Sequence, residues 1–326
     1  EASRYYKMAA DAGNPNGMFN YGYMLDVGEG VAVNKEEAAR YYKMSADAGN
    51  PNGMNKYGFL LQSGEGVAVN KKEAARYYKM SADAGNPVGM NNYGFLLDKG
   101  EGVEVNKEEA ARYYKMSADA GNTNGMYNYI LYLQQGEKKE VSKEEVSRYY
   151  KLAINSFKIN EINKSCNFTL NFMKGIADTG FTDAMNDYGE LLIKVYGNDR
   201  WDEAARYLKN SANSGDARGM FSYGLLMKKG DGIECDKEEA VRYFKMAIER
   251  GNCDAMCEYG LMLKDGDEIE KDKKEAVRYF KMAIEKGSLE AMFQYGLMLF
   301  QGDGMKMNKE EAARYFKMSA DNGYLD

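Results

Sequence analysis

Apolar residues along this chain fall into short helical stripes that come in pairs. Residues Glu36–Lys71 set the pattern: Ala38, Ala39, Tyr42 and Ala46 share one helical face, and Met54, Tyr57, Leu60 and Leu61 share another. Asn34, with Glu37 three residues on, predicts a helix start closed by a capping box. Gly49 predicts its stop, followed by Asn50-Pro51. The second stripe starts near Asn52 and ends at Gly64, with Glu65-Gly66-Val67 turning the chain back. No segment alternates with the period of a strand, so the stretch predicts two antiparallel helices of about three turns each.

The pair repeats. Arg4, Arg40, Arg76, Arg112 and Arg148 are spaced by 36 residues, and Arg206, Arg242, Arg278 and Arg314 are spaced by 36 again. A fixed period of this size predicts an all-α superhelical solenoid, here of about eight to nine two-helix repeats, growing by stacking neighbours. Gly58 recurs at Gly22, Gly94, Gly189, Gly224, Gly260 and Gly296. Glycine inside a helix costs about 1 kcal/mol against alanine, so close helix approach is expected there, with Ala38, Ala39 and Ala46 as the small partners opposite.

The repetition breaks near the middle. Ile130 replaces the helix glycine, and the fourth turn reads Gly136-Glu137-Lys138-Lys139. Arg148 and Arg206 lie one period and 22 residues apart, and the register returns at Gly180. Residues 157–174 read as extra or truncated helical material. The turn at Gly197-Asn198 is one residue short, and Trp201 at the next helix start reads as a plug. The expected organisation is an N-terminal block over 1–136, an irregular junction with a degenerate repeat over 137–202, and a C-terminal block over 203–326.

The run Met54…Tyr57-Gly58…Leu61…Gly64-Glu65-Gly66-Val67…Glu73-Ala74…Tyr77-Tyr78-Lys79…Ala82…Gly85 resembles the Sel1-like repeat family, a relative of the tetratricopeptide repeat with a slightly longer period. The resemblance covers nearly the whole chain and makes the tyrosine–glycine helix the first of each repeat. The tryptophan often found in the family's second helix is tyrosine here (Tyr41, Tyr77, Tyr113). The paired cysteines of some secreted members are absent. The resemblance implies a non-enzymatic adaptor or scaffold for protein–protein interaction. Arrays attached to a catalytic domain such as a kinase give the alternative, a regulatory region of a larger enzyme. Stacking through open solenoid ends gives a third reading, self-association.

Composition narrows the chemistry. The chain has no histidine, which removes the commonest acid–base group and metal ligand together. Cys166, Cys235, Cys253 and Cys257 match neither a zinc signature nor a disulfide framework. They fit reduced thiols in a cytoplasmic protein. No cofactor, metal or catalytic residue is expected. The net charge of −6 disfavours nucleic acid as a partner, and no apolar run reaches the ~18 residues of a membrane span. Both ends fall inside a repeat, so the chain is expected to be a piece of a longer protein.

Differences between copies separate scaffold from surface. Asn52, Asn55, Phe59 and Gln62 drift from copy to copy on one face of the first helix. This face is expected to be concave and to bind a protein or peptide. The candidates are Phe19, Asn55, Asn91, Tyr127, Phe221 and Phe293 along one row, and Asp26, Gln62, Asp98, Gln134, Lys228 and Lys264 along the other. Phe19, Tyr127 and Phe293 are the expected aromatic anchors. Three other features have blander readings. The Arg40/Lys43 ladder has local partners in Glu37 and Asp47. The tyrosine pairs read as core, because the second becomes Leu208, Phe244, Phe280 and Phe316. The acidic glycine turns resemble calcium or phosphate loops only superficially.

Overall fold

The computed structural model describes residues 1–135, 143–159, 166–267 and 269–324. Among them the regular structure is entirely helical. The helices are α1 (Ala2–Asp11), α2 (Pro15–Val27), α3 (Lys35–Asp47), α4 (Pro51–Ser63), α5 (Lys71–Asp83), α6 (Pro87–Lys99), α7 (Lys107–Asp119), α8 (Thr123–Gln135) and α9 (Lys143–Ile159). They continue with α10 (Cys166–Ala177), α11 (Thr182–Tyr196), α12 (Trp201–Asn213), α13 (Ala217–Lys229), α14 (Lys237–Glu249), α15 (Cys253–Asp265), α16 (Lys273–Glu285), α17 (Leu289–Gln301) and α18 (Lys309–Asp321). The chain forms two compact units, residues 1–165 and 166–326. Each is a solenoid segment in which a first helix packs on the second helix of its repeat, as α4 does on α5 and α15 on α16.

The helix ends follow from the sequence. Asn34 Oδ1 accepts the Glu37 N–H at 3.0 Å, the expected cap. The box is not closed as expected, because the Asn34 side-chain amide donates to the Glu37 carboxylate at 3.3 Å and the Asn34 backbone N–H donates instead to the Leu25 carbonyl at 2.9 Å. Asn50 caps α4 the same way, accepting the Gly53 N–H at 2.9 Å with Pro51 at the first helical position. Gly64 ends α4 in the left-handed region at φ 83°, where a side chain would be strained.

The second turn glycine does different work. A Cβ placed on Gly66 would fall 2.2 Å from the carbonyl oxygen of Lys35, and one on Gly102 would fall 2.2 Å from that of Lys71. This glycine seats the turn on the start of the second helix one repeat earlier. The acid between the glycines pairs with that helix's first lysine: Glu65 with Lys35 at 3.7 Å, Glu101 with Lys71 at 3.2 Å, and Asp303 with Lys273. In these repeats the glycine turn is therefore a clasp between repeats, and its acid has its cation already.

The core is aromatic. Tyr57 meets Tyr77 edge to face at 4.8 Å, and the same pairing recurs from Tyr21–Tyr41 to Tyr295–Tyr315. The second ring of each pair in sequence, such as Tyr78, lies on the helix glycine. A Cβ on Gly58 would stand 3.0 Å from that ring, and one on Gly224 would stand 2.8 Å from Phe244. The expected partners at this glycine, Ala38, Ala39 and Ala46 and their counterparts, are thereby corrected. The glycine makes room for a ring, and alanine contributes only its backbone carbonyl, as Ala74 does 3.3 Å from the Gly58 position.

The irregular region resolves in part. Residues 136–142, which include the turn at 136–139, and residues 160–165 lie outside the described residues; the rest of the expected 137–202 junction is described. Helix α10 stands before α11 as a second helix does, because Asp178 at its end accepts the Tyr207 hydroxyl as Asp47 accepts that of Tyr77. The surplus half-period is thus a second helix without its own first helix. The short turn is a 3₁₀ segment, Gly197–Arg200, held by Arg200 on Glu203. Trp201 opens α12 where Lys35 opens α3, with its Cβ directly beneath Gly232.

Candidate functional site

Neighbouring first helices touch within each unit, α2 with α4, α4 with α6, α6 with α8, and α11 with α13. The drifting rows lie along these contacts, and most of their members already have partners. Asp26 is buried between Lys35 at 2.5 Å and Lys56 of the next first helix at 2.9 Å. In the second unit the equivalent clip has its charges reversed: Lys228 pairs with Glu258 at 2.6 Å, and Lys264 donates to Gln294 at 3.2 Å. The drift from acid to base along this row is matched by an opposite change on the next helix. Burial alone would raise the Asp26 carboxyl, but hydrogen bonds from Lys35 and Lys56 outweigh it and hold the group below its ordinary range.

The other members divide as follows. Gln62 accepts the Tyr78 hydroxyl at 3.0 Å and reaches Glu101 at 3.4 Å. Asp98 sits beside Lys99 at 2.8 Å, and Gln134 is half-buried. Phe19 lies on Tyr42 with ring centroids 5.5 Å apart, Phe221 on Phe244 at 6.0 Å, and Phe293 on both Phe316 and Tyr324 at 5.6 Å. Tyr127 is half-buried as well. The three phenylalanine rings lean into the groove between first and second helix, so they serve packing as well as surface.

Asn55 and Asn91 belong to a chain of amides. Asn92 donates to Asn55 at 2.9 Å, Asn128 donates to Asn91 at 2.9 Å, and Asn91 reaches Asn92 at 3.4 Å. The chain joins α4, α6 and α8. One helical turn further on stand the aromatics the sequence reading left out of its candidates: Tyr23 is 47% exposed, Phe59 41% and Phe95 37%. The available signal was that this position is aromatic in these three copies and leucine at Leu131, Leu225, Leu261 and Leu297. Phe95, Asn128, Leu131 and Tyr132 line a cavity of about 200 Å³, with Asp98, Lys99 and Lys107 also around it.

Part of the arginine and lysine ladder is paired locally. Arg76 pairs with Glu73 at 2.5 Å and Lys43 with Asp47 at 2.7 Å, and Arg76 also lies over the Tyr77 ring at 4.8 Å. Cys257 is buried, which pushes its thiol pKa well up and leaves it unreactive. Cys235 is exposed and Cys253 half-buried, both as free thiols; the Cys166 side chain lies outside the described residues. Among the described residues no cluster of acidic and cysteine side chains could hold a metal ion, and no helix is long and apolar enough to cross a membrane.

With this geometry in place, comparison with known proteins is informative on the repeat itself. The Sel1 repeat family model matches residues 1–14, 15–50, 51–86, 87–122, 217–252, 253–288 and 289–324. The matches stop at 122 and resume at 217, bracketing the irregular region. Among solved structures, the chain is similar to a protective antigen of uropathogenic Escherichia coli with an SLR fold, at 23% identity and a TM-score of 0.47, covering 98% of this chain and 72% of that one. It is similar also to a Sel1 repeat protein from Oxalobacter formigenes, at 18% identity and a TM-score of 0.44, covering 98% of this chain and 86% of that one. No curated protein matches it significantly.

Proposed function

The chain belongs to the Sel1 repeat family, and from that premise we propose that it is a non-enzymatic cytoplasmic scaffold that binds a protein or peptide on the face formed by its first helices. Repeat proteins of this kind generally mediate protein–protein interaction. The observation that carries the reading is the exposure of Tyr23, Phe59 and Phe95 in register on successive first helices. Exposed aromatics in a row are costly to leave in water and are the residues that dominate interface energies. The chemistry available elsewhere supports the same reading, since the charged contacts between repeats, such as Asp26 with Lys56 and Lys228 with Glu258, are already paired and no histidine exists to act as a general base.

The experiment compares wild type with Tyr23→Ala/Phe59→Ala/Phe95→Ala in affinity capture, with circular dichroism as a check on folding. Captured partners are expected to be lost while the melting curve stays put. Retention of the same partners by a folded triple variant would sink this face as the binding surface. Phe19, Tyr127 and Phe293 make a poorer probe, because at least Phe19 and Phe293 also pack on second-helix rings.

A further inference from the structure

We propose that the asparagine ladder of the N-terminal unit holds the main chain of an extended peptide segment of a partner protein, with one apolar side chain of that segment seated in the cavity beside Asn128. The proposal rests on the first-helix face being the binding surface and specifies what that face recognises.

A side-chain amide carries a donor and an acceptor, the same pair that each peptide group of an extended chain presents. The ladder uses some of these groups internally: Asn55 Oδ1, Asn91 Oδ1 and Asn92 Oδ1 accept, and Asn91, Asn92 and Asn128 donate. Two groups are left at its ends, the Asn55 amide N–H₂ on α4 and the Asn128 carbonyl on α8. Both residues are part-exposed, and neither group has a partner among the described residues. The internal bonds hold the amide planes in place, so little rotamer entropy is lost when a chain is added.

The ladder itself is uncharged, which suits a main chain whatever its sequence. The nearest buried carboxylate in this unit's rows, Asp26, is already answered by Lys35 and Lys56. Beside Asn128 the chemistry changes. Phe95, Leu131 and Tyr132 wall a cavity of about 200 Å³ whose lining Tyr114, Asn128, Lys107 and Gln135 share, and Asp98 and Lys99 are occupied with each other at 2.8 Å. An aliphatic or aromatic side chain fits this lining. The C-terminal unit offers no equivalent ladder. Along the same row it has Asn186, buried and bonded to Asp216 at 2.7 Å, then Phe221, the buried Cys257, and Phe293.

The test pans a phage-displayed library of random short peptides against the full chain and measures the enriched peptides by fluorescence anisotropy. Peptides sharing one apolar position and no fixed charge are expected. Methylating a single main-chain nitrogen of a bound peptide should weaken it about fivefold, as should Asn55→Ala or Asn128→Ala, the change expected for a lost hydrogen bond of ~1 kcal/mol. Because either asparagine change also breaks a ladder bond, the peptide methylation scan is the decisive measurement. Peptides that lose affinity with Phe95→Ala but ignore both methylation and the asparagine changes would overturn the ladder while keeping the face. Peptides insensitive to all of these, or no enrichment at all, would overturn both. Sedimentation showing a dimer that Phe95→Ala returns to monomer would assign the face to a second copy of this chain, and would equally overturn the proposal.

Discussion

In the N-terminal unit Asp26 of one first helix meets Lys56 of the next, and a separate row of amides, Asn55 with Asn92 and Asn91 with Asn128, joins the helices that follow; in the C-terminal unit the row of Asp26 holds Lys228 on Glu258 and Lys264 on Gln294, while the amide row holds Phe221 and Cys257. A second exchange accompanies the first. Ser45, Ser81 and Ser117 of the first unit donate to the carbonyls of Pro15, Pro51 and Pro87, and each lies under a glycine of the next first helix, Gly53, Gly89 or Gly125. In the later repeats both partners become alanine, Ala247 with Ala255 and Ala283 with Ala291, all buried. Two chemistries thus serve one backbone arrangement. What is held constant is the contact between repeats; what varies is the pair of residues that makes it, although Ala9 lies under Gly17, and Ser211 under Gly219 keeps the first unit's pair in the second.

The comparison breaks most sharply at the turn glycines, which both units need for the same reason. Gly102→Ala would drive a Cβ into the Lys71 carbonyl from a left-handed backbone at φ 74°, whereas at Gly304 the first obstacle is the Lys273 Cβ at 2.7 Å. Urea denaturation followed by circular dichroism should show a loss of about 3 kcal/mol for Gly102→Ala and about 2 kcal/mol for Gly304→Ala, from backbone strain plus the forced shift of the neighbouring repeat. Equal, small losses at both would mean that the clasp has slack and that the glycines serve the turn alone.

Charge reversal tests the clip between first helices. Glu258→Lys sets a second ammonium against Lys228, whose side chain is only 22% exposed, and should cost about 1–2 kcal/mol. Adding Lys228→Asp recreates the order found at Asp26 and Lys56, with Lys237 placed as Lys35 is, and should restore stability to within about 0.5 kcal/mol of wild type. A double variant no better than the single one would show that the two units are not interchangeable at this contact, despite their shared geometry.

How much of this was legible in the sequence depends on how far apart the interacting residues lie. The helix pairs, the capping by Asn34 and the stop at Gly49 rest on neighbours within a few residues, and periodicity reveals them directly. The tyrosine pairs were legible as core because Leu208 and Phe244 replace one member without harm to the pattern. The clasps were not, because Lys35 and Glu65 are one element in space but 30 residues apart, and each alone looks like an ordinary surface charge. The candidate rows suffered in the same way. Variation from copy to copy marks Asp26 and Lys228 as surface, but only the coordinates show that each is matched by position 56 or 258. Drift therefore meant exchange of partners at those positions. At Tyr23, Phe59 and Phe95, where the ring stays exposed, a free face remains.

Acid gives the finest separation of the two chemistries. In the folded chain the hydrogen bonds from Lys35 and Lys56 keep the Asp26 carboxyl below the ordinary value of about 4. A group shifted this way contributes its stability in full above that value and loses it as the pH falls through the folded pKa. Native-state hydrogen exchange of the α2 and α4 amides, followed from neutral pH down to about pH 3, should show protection falling as Asp26 protonates. Asp26→Asn should start lower by up to about 1 kcal/mol and lose that acid-dependent part of the slope. Amides of α6 and α8, joined by neutral asparagines, serve as the internal reference, since the Asn128–Asn91 bond does not titrate. If α2–α4 and α6–α8 lose protection in parallel, and Asp26→Asn leaves the slope unchanged, the charged clip is no more than an isosteric substitute for an amide pair. The two chemistries would then differ in composition but not in consequence.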